Sequence, residues 1–183
     1  MINLTDALIE QENQNRQRKI GHYRVSDLWA MMNGYLKPED YLKPQKLGAK
    51  SCLLVWQGKN KHQQLEPLLE AIGWETEVSK QMEFEDFLIS GRADGLNEKQ
   101  VLEIKTSAEV LGNSKRWHDY QVRIYCTLFE KPEGIICQPI IRNNKILLKE
   151  LKTIKRNESW FKTQMELLKE YHNNLKKYVI QNK

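Results

Sequence analysis

Apolar residues along this chain follow a helical period in the first third, an alternating period in the middle and a helical period again at the end. In YRVSDLWAMMNGYLKPEDYLKP, Ser26 is placed to cap a helix that Gly34 ends, and two Lys-Pro pairs bracket a short turn or helical piece. The stretch SCLLVWQGKNKHQQLEPLLEAIGW predicts a longer amphipathic helix, interrupted near Gly58, kinked by Pro67 and ended by Gly73. Three strand candidates follow, Trp74 to Phe84, Phe87 to Gly95 and Lys99 to Ser107, and their polar or glycine-containing turns predict a meander. Lys115 to Glu130 returns to helical spacing. GIICQPIIRNNKILLKELK then carries two apolar runs joined at Asn143-Asn144, the residue pair of a type I′ hairpin, with Pro139 pushing its strand toward an edge or bulge. A last helix is predicted from about Glu158, with Phe161, Met165, Leu168, Tyr171 or His172, and Leu175 along one stripe. The expected order is therefore α, β-meander, α, β-hairpin, α.

At 183 residues the chain is long enough for one substantial core, so a single domain over 1–183 is expected. Hydrophobic residues make up 40% and charged residues 29%, and no apolar run reaches the roughly 20 residues that cross a bilayer. The first twenty residues lack the apolar core and cleavage site of a secretory signal, so a cytoplasmic protein is expected. Cys52, Cys126 and Cys137 form no CxxC pair, which points to buried, reduced thiols. Charge is uneven: residues 142–183 hold 11 Lys/Arg against 4 Asp/Glu, while residues 1–141 hold 18 against 20. A basic tail of this kind suits a polyanion, and equally a solvated helix face.

The stretch ISGRADGLNEKQVLEIKTS changes the picture, because Asp94, Glu103 and Lys105 stand in segments that otherwise read as buried strand. An ionised carboxylate in such a setting costs several kcal/mol unless a counter-charge or metal meets it. Alternation puts Glu103 and Lys105 on one face of a strand and Leu102 and Ile104 on the other. A two-residue loop at Asn97-Glu98 would set Asp94 opposite Val101, with Glu103 one diagonal step away, and any even loop length would keep the two acids on one face. Asp94, Glu103, the Ile104 carbonyl and water would then hold a hard divalent cation, Mg²⁺ or Mn²⁺. Lys105 makes little sense beside a structural metal and good sense beside an anionic, reacting phosphate. His62 and Glu66, four apart on the long helix, share a face, and His62 is the favoured further ligand.

These residues resemble the PD-(D/E)XK nuclease superfamily, specifically its RecB-like branch, which includes CRISPR-associated exonucleases and the mitochondrial genome-maintenance exonuclease. Four elements stand in order: Gly58, His62 and Glu66; Gly91-Arg92-Ala93-Asp94; Glu103-Ile104-Lys105; and Gln121 with Tyr125. The segment YRVSDLWAMMNGYL is similar to the helical lead-in of that branch but lacks its Cys-Pro. The resemblance implies an α/β fold with a restriction-endonuclease-like core, a central mixed β-sheet of meander plus later hairpin, flanked by helices. It also implies a metal-dependent deoxyribonuclease, exonucleolytic on single strands or ends, in which His62, Asp94, Glu103 and the Ile104 carbonyl hold one or two ions. Lys105 would orient or help deprotonate the attacking water, with Gln121 and Tyr125 bracing it or touching nucleic acid. The cysteines that hold an iron-sulfur cluster in some relatives are missing, so no cluster is expected.

Arg92, Lys115, Arg116 and Arg123 are candidates for phosphate contacts, and Trp117, Tyr120 and Trp160 for stacking on unpaired bases, although core packing is the fate favoured for Trp160. An endonuclease built on the same acidic-lysine core is the neighbouring alternative. A nucleic-acid-binding subunit with a degenerate site, or a plain α/β domain whose acids form surface ion pairs, are alternatives of other classes.

Overall fold

The computed structural model describes residues 4–14, 18–43, 46–106 and 115–182. Its elements run α1 (Thr5–Gln14), β1 (His22–Arg24), α2 (Val25–Met32), α3 (Pro38–Tyr41), α4 (Ala49–Glu70), β2 (Glu75–Glu83), β3 (Leu88–Leu96), β4 (Gln100–Ile104), α5 (Arg116–Leu128), β5 (Glu133–Arg142), β6 (Lys145–Lys155) and α6 (Glu158–Gln181). The strands form one mixed sheet flanked by helices, the expected fold class. β2, β3 and β4 are the antiparallel meander. β4 then runs parallel to β5, which pairs antiparallel with β6. Ser107, the last residue of the third expected strand, lies outside the described residues.

Local chemistry accounts for the best-defined boundaries. Asn143 and Asn144 both adopt left-handed backbone, φ 52 and 55, as a type I′ turn requires, and Arg142 pairs with Lys145 across it. Pro139 lies beyond Cys137, the last β5 residue paired with β4, so its missing N–H falls on an uncovered edge just after a bulge at Ile136/Cys137. Asn157 caps α6 by accepting the Trp160 N–H at 2.9 Å, and all six residues of the expected apolar stripe are buried.

Several expectations need correction. β1 was not foreseen, because three residues carry no readable alternation; parallel pairing with Leu88–Ser90 holds it extended. That strand passes the chain to α2 through Arg24, which takes the N-cap position, so Ser26 falls inside the first turn and caps nothing. α4 runs unbroken through Gly58. The roughly 1 kcal/mol that an interior glycine costs is offset by packing against α1 and β2, including the pairing of Lys59 with Glu12 at 2.8 Å. Pro67 is carried inside the last turns of the helix, and Gly73, φ 87, ends the run that follows.

Both faces of β4 are covered. Val101 belongs to the large cluster that contains Tyr23, Ile89, Tyr125 and Leu168, while Leu102 and Ile104 pack with Leu69 of α4 and Cys137 of β5. Burial on both sides is what makes the charges of this strand costly. Cys52, Cys126 and Cys137 are buried and free, as expected. No helix among the described residues is long and apolar enough to cross a membrane.

β3 positions the site through the way its edges are used. β2 covers one edge from Leu88 to Leu96. The opposite edge is divided, with β1 along Leu88–Ser90 and β4 only at Gly95 and Leu96. Between them, Gly91 to Asp94 faces a gap where β4 has moved away.

Candidate active site

Asn97 decides how far β4 runs with β3. Its side-chain oxygen accepts the N–H groups of Lys99 at 2.9 Å and Gln100 at 2.7 Å, and its own N–H donates to the Gln100 carbonyl at 3.1 Å. The turn therefore spans 97–100 rather than Asn97-Glu98, and Leu96, not Asp94, lies opposite Val101. Asp94 comes level with Glu103 instead of one diagonal step from it. The shift is even, and both acids open on one cavity.

Past the last paired position, Asp94 bridges the parted strands. Its Oδ2 accepts the Ile104 N–H at 2.6 Å, and its Oδ1 lies 3.2 Å from Nδ1 of His62 on α4. Glu103 is buried, with Oε1 paired to the Lys105 ammonium and Oε2 without a partner among the described residues. Burial raises the Glu103 carboxyl above the usual range, with Lys105 pulling the other way and the Asp94 charge adding to the rise. His62 is raised as well, chiefly by its hydrogen bond to Asp94. From α5, the Gln121 amide donates to the Tyr125 hydroxyl at 3.0 Å, and burial pushes that phenol upward.

Two cavities meet at Arg92 and Asp94. The larger, about 540 Å³, is walled by His22, Arg24 and Ser26 at the β1–α2 junction, by Ser90 and Gly91, and by Glu103, Gln121 and Tyr125. The smaller, about 290 Å³, lies under α4 and is lined by His62, Glu66 and Glu77, so the expected shared face of His62 and Glu66 is turned to the site.

Glu77 was not foreseen. It stands on β2 at the level of Asp94, with left-handed backbone, φ 53, and the ladder skips this position although Thr76–Gly95 and Val78–Ala93 are paired on either side. One ligand atom each from His62, Glu77 and Asp94 lies within 4.8 Å of the others, and Arg92 pairs with Glu77 at 2.8 Å. Burial raises the Glu77 carboxyl too. Only the β2–β3 register, counted back from Asp94, reveals this residue. His118, one turn before Gln121, was also missed; burial and then the nearby Lys105 lower it to about 4.

The other expected residues do not line these cavities. Lys115 lies with its ammonium 4.9 Å from the Trp117 ring centroid, and Arg116 and Trp117 are exposed on the first turn of α5. Arg123 stacks its guanidinium over Trp160 at 5.0 Å. The Tyr120 ring meets Trp160 edge-on at 5.0 Å and its hydroxyl donates to Gln164 at 2.9 Å, on the side of α5 that faces α6.

No protein-family profile and no curated protein matches the chain. Its likenesses are to solved structures. A phage-related exonuclease from Haemophilus somnus 129PT superposes with a TM-score of 0.60 at 12% identity, over 94% of this chain and 100% of that one. An alkaline exonuclease from Laribacter hongkongensis, in complex with dAMP, gives 0.59 at 14% over 88% and 91%. The structure of SSO0001 gives 0.64 at 24% over 93% and 85%. Two of these three neighbours are exonucleases, and the chain shares their architecture. At these identities the likeness carries the architecture alone.

Proposed function

We propose that this chain is a metal-dependent nuclease of the PD-(D/E)XK type, RecB-like in its motifs, which hydrolyses DNA phosphodiester bonds as an exonuclease on single strands or ends. The observation that carries this reading is the level placement of Asp94 and Glu103 across a strand gap, with Lys105 beside them and an open polar cavity in front. Two of the neighbours are exonucleases, one of them holding dAMP, which adds support.

The donor set fits a hard divalent cation such as Mg²⁺ or Mn²⁺. A carboxylate oxygen of Glu103 is buried without a partner among the described residues, and oxygen and imidazole donors converge around Asp94. Asp94, Glu103 and the Ile104 carbonyl would hold the ion, with His62, and Glu77 where a second position is filled. Bound there, such an ion polarises the phosphate and lowers the pKa of an attacking water. The Ile104 N–H fixes one Asp94 oxygen, so the carboxylate is oriented before any ligand arrives. The Lys105 ammonium, held on Glu103, orients the water and offsets charge as it develops on the phosphate. Gln121 and Tyr125 hold each other as one wall of the cavity, placing a polar edge beside the reacting group.

End-labelled linear and circular single-stranded DNA, incubated with Mg²⁺, Mn²⁺ or chelator, tests the proposal. Metal-dependent loss of the linear substrate alone is expected. Cutting of circles would make the enzyme an endonuclease, and no hydrolysis of either in both metals would sink the catalytic reading.

A further inference from the structure

A run of aromatic rings between α2 and α5 has no part in the chemistry just described. Gly34, with left-handed backbone at φ 74, turns the chain back on α2, so that the N–H groups of Tyr35 and Leu36 both donate to the Ala30 carbonyl, at 2.8 and 3.0 Å. This turn lays the Tyr35 ring flat on Trp29, with centroids 5.0 Å apart and planes 13° from parallel. Trp29 in turn meets Trp117 of α5 at 5.7 Å, and Trp117 meets His118 at 5.4 Å. The run thus begins in solvent and ends at a buried histidine that feels the Lys105 charge.

Packing of α2 on α5 does not account for this arrangement. Rings that serve to pack are at least half-buried, as Tyr120 and Trp160 are against each other. Tyr35, by contrast, is 73% exposed and Trp117 42% exposed. Contiguous large rings left in water at the approach to a site mark a contact surface. Their surroundings name its chemistry: the Lys115 ammonium lies over the Trp117 ring and Arg116 is exposed beside it, so flat apolar faces and cations alternate, as bases and phosphates do along a strand. A duplex keeps its base faces stacked inward and offers nothing for these rings to cover.

We propose that Tyr35, Trp29 and Trp117 form a stacking platform for unpaired bases, which leads single-stranded DNA along the α2–α5 seam toward Lys105. The proposal rests on the nuclease reading for its direction, since the strand is led to the site where cleavage would occur. Tyr35 lies at the outer end and takes the base farthest from the reacting phosphate.

Binding of the full chain to a labelled single strand and to a duplex of the same sequence, both in chelator so that no cleavage occurs, tests it. Tyr35→Ala and Trp117→Ala should each weaken single-strand binding about five- to hundredfold, with duplex binding unchanged. Tyr35→Phe and Trp117→Phe, which keep a ring, should restore most of the affinity, and thermal melts of all four variants check that the fold is intact. Single-strand affinity unaltered in both alanine variants, or lost equally for duplex, overturns the platform, as does a wild-type protein that does not bind the single strand. The two readings fail separately: hydrolysis with unaltered alanine variants removes only the platform, whereas ring-dependent binding without hydrolysis in Mg²⁺ or Mn²⁺ removes only the nuclease.

Discussion

Asp94 and Ile104 are joined across two strands that have already parted: the Asp94 Oδ2 accepts the Ile104 N–H at 2.6 Å, two residues beyond the last paired β4 position on that side, Leu102. A side chain has taken the place of the ladder. The bond satisfies a buried N–H that would otherwise be orphaned, and it leaves the second carboxylate oxygen facing His62.

Because that bond needs an acceptor and not a charge, Asp94→Asn separates structure from chemistry. The variant should melt within about 1 kcal/mol of the wild type, since the amide oxygen can still accept from Ile104. Mn²⁺ affinity, followed by calorimetry, should fall more than about tenfold. Unaltered Mn²⁺ binding would take Asp94 out of the metal centre.

Lys105→Ala should lower DNA cleavage by about 10² to 10³ in turnover while Mn²⁺ still binds, because the ammonium acts on the reacting groups and not on the ion. In the metal-free protein the same change strips Glu103 of its ion pair with Lys105, so the melting temperature should drop and recover on adding Mn²⁺. Undiminished turnover would remove the lysine from the mechanism.

Two buried groups pull the stability of the metal-free protein in opposite directions as pH changes. His118 is lowered to about 4, so the unfolded chain takes up its proton first, and the stability this neutral ring contributes is lost as pH falls from about 6.5 through 4. Glu103 is raised, so its contribution is complete below the unfolded carboxylate value and is lost as pH rises through its folded value. Melting curves across this range should show less loss toward low pH in His118→Gln and less loss toward neutral pH in Glu103→Gln, with Mn²⁺ stabilising the wild type more as pH rises. A Mn²⁺ effect independent of pH would count against Glu103 as a ligand.

Gly91→Ala tests the seat of α5. A Cβ there would stand 2.5 Å from Tyr125 Cε1 and 2.9 Å from Leu128 Cδ2, both buried, so the helix must lift or the ring must turn. A loss of about 1–3 kcal/mol is expected on chemical denaturation, together with reduced cleavage through Tyr125. A variant as stable as the wild type would mean that α5 is not held this tightly.

Much of the molecule could be read before it was folded. The α6 stripe, the Asn143-Asn144 turn and the meander depend on periods and turn residues that lie within a few positions of one another, and a residue's neighbours along the chain are enough to specify them. Asp94, Glu103 and Lys105 stand out as charges in strand positions for the same reason, since a short strand records its own alternation.

What the chain alone did not disclose depends on partners far away in sequence. β1 is a strand only because Leu88–Ser90 lies beside it, α4 continues through Gly58 because packing outweighs a weak local preference, and Asn97 moved the register by two through its side chain. Glu77 reaches the site through the pairing of β2 with β3, and Tyr35 stacks on Trp29 and Trp29 on Trp117 through a turn and a helix crossing. Residue type and spacing determined which charges had to be compensated. Tertiary structure decided which groups meet them, because long-range pairing and packing energies exceed the roughly 1 kcal/mol preferences that a local stretch can express.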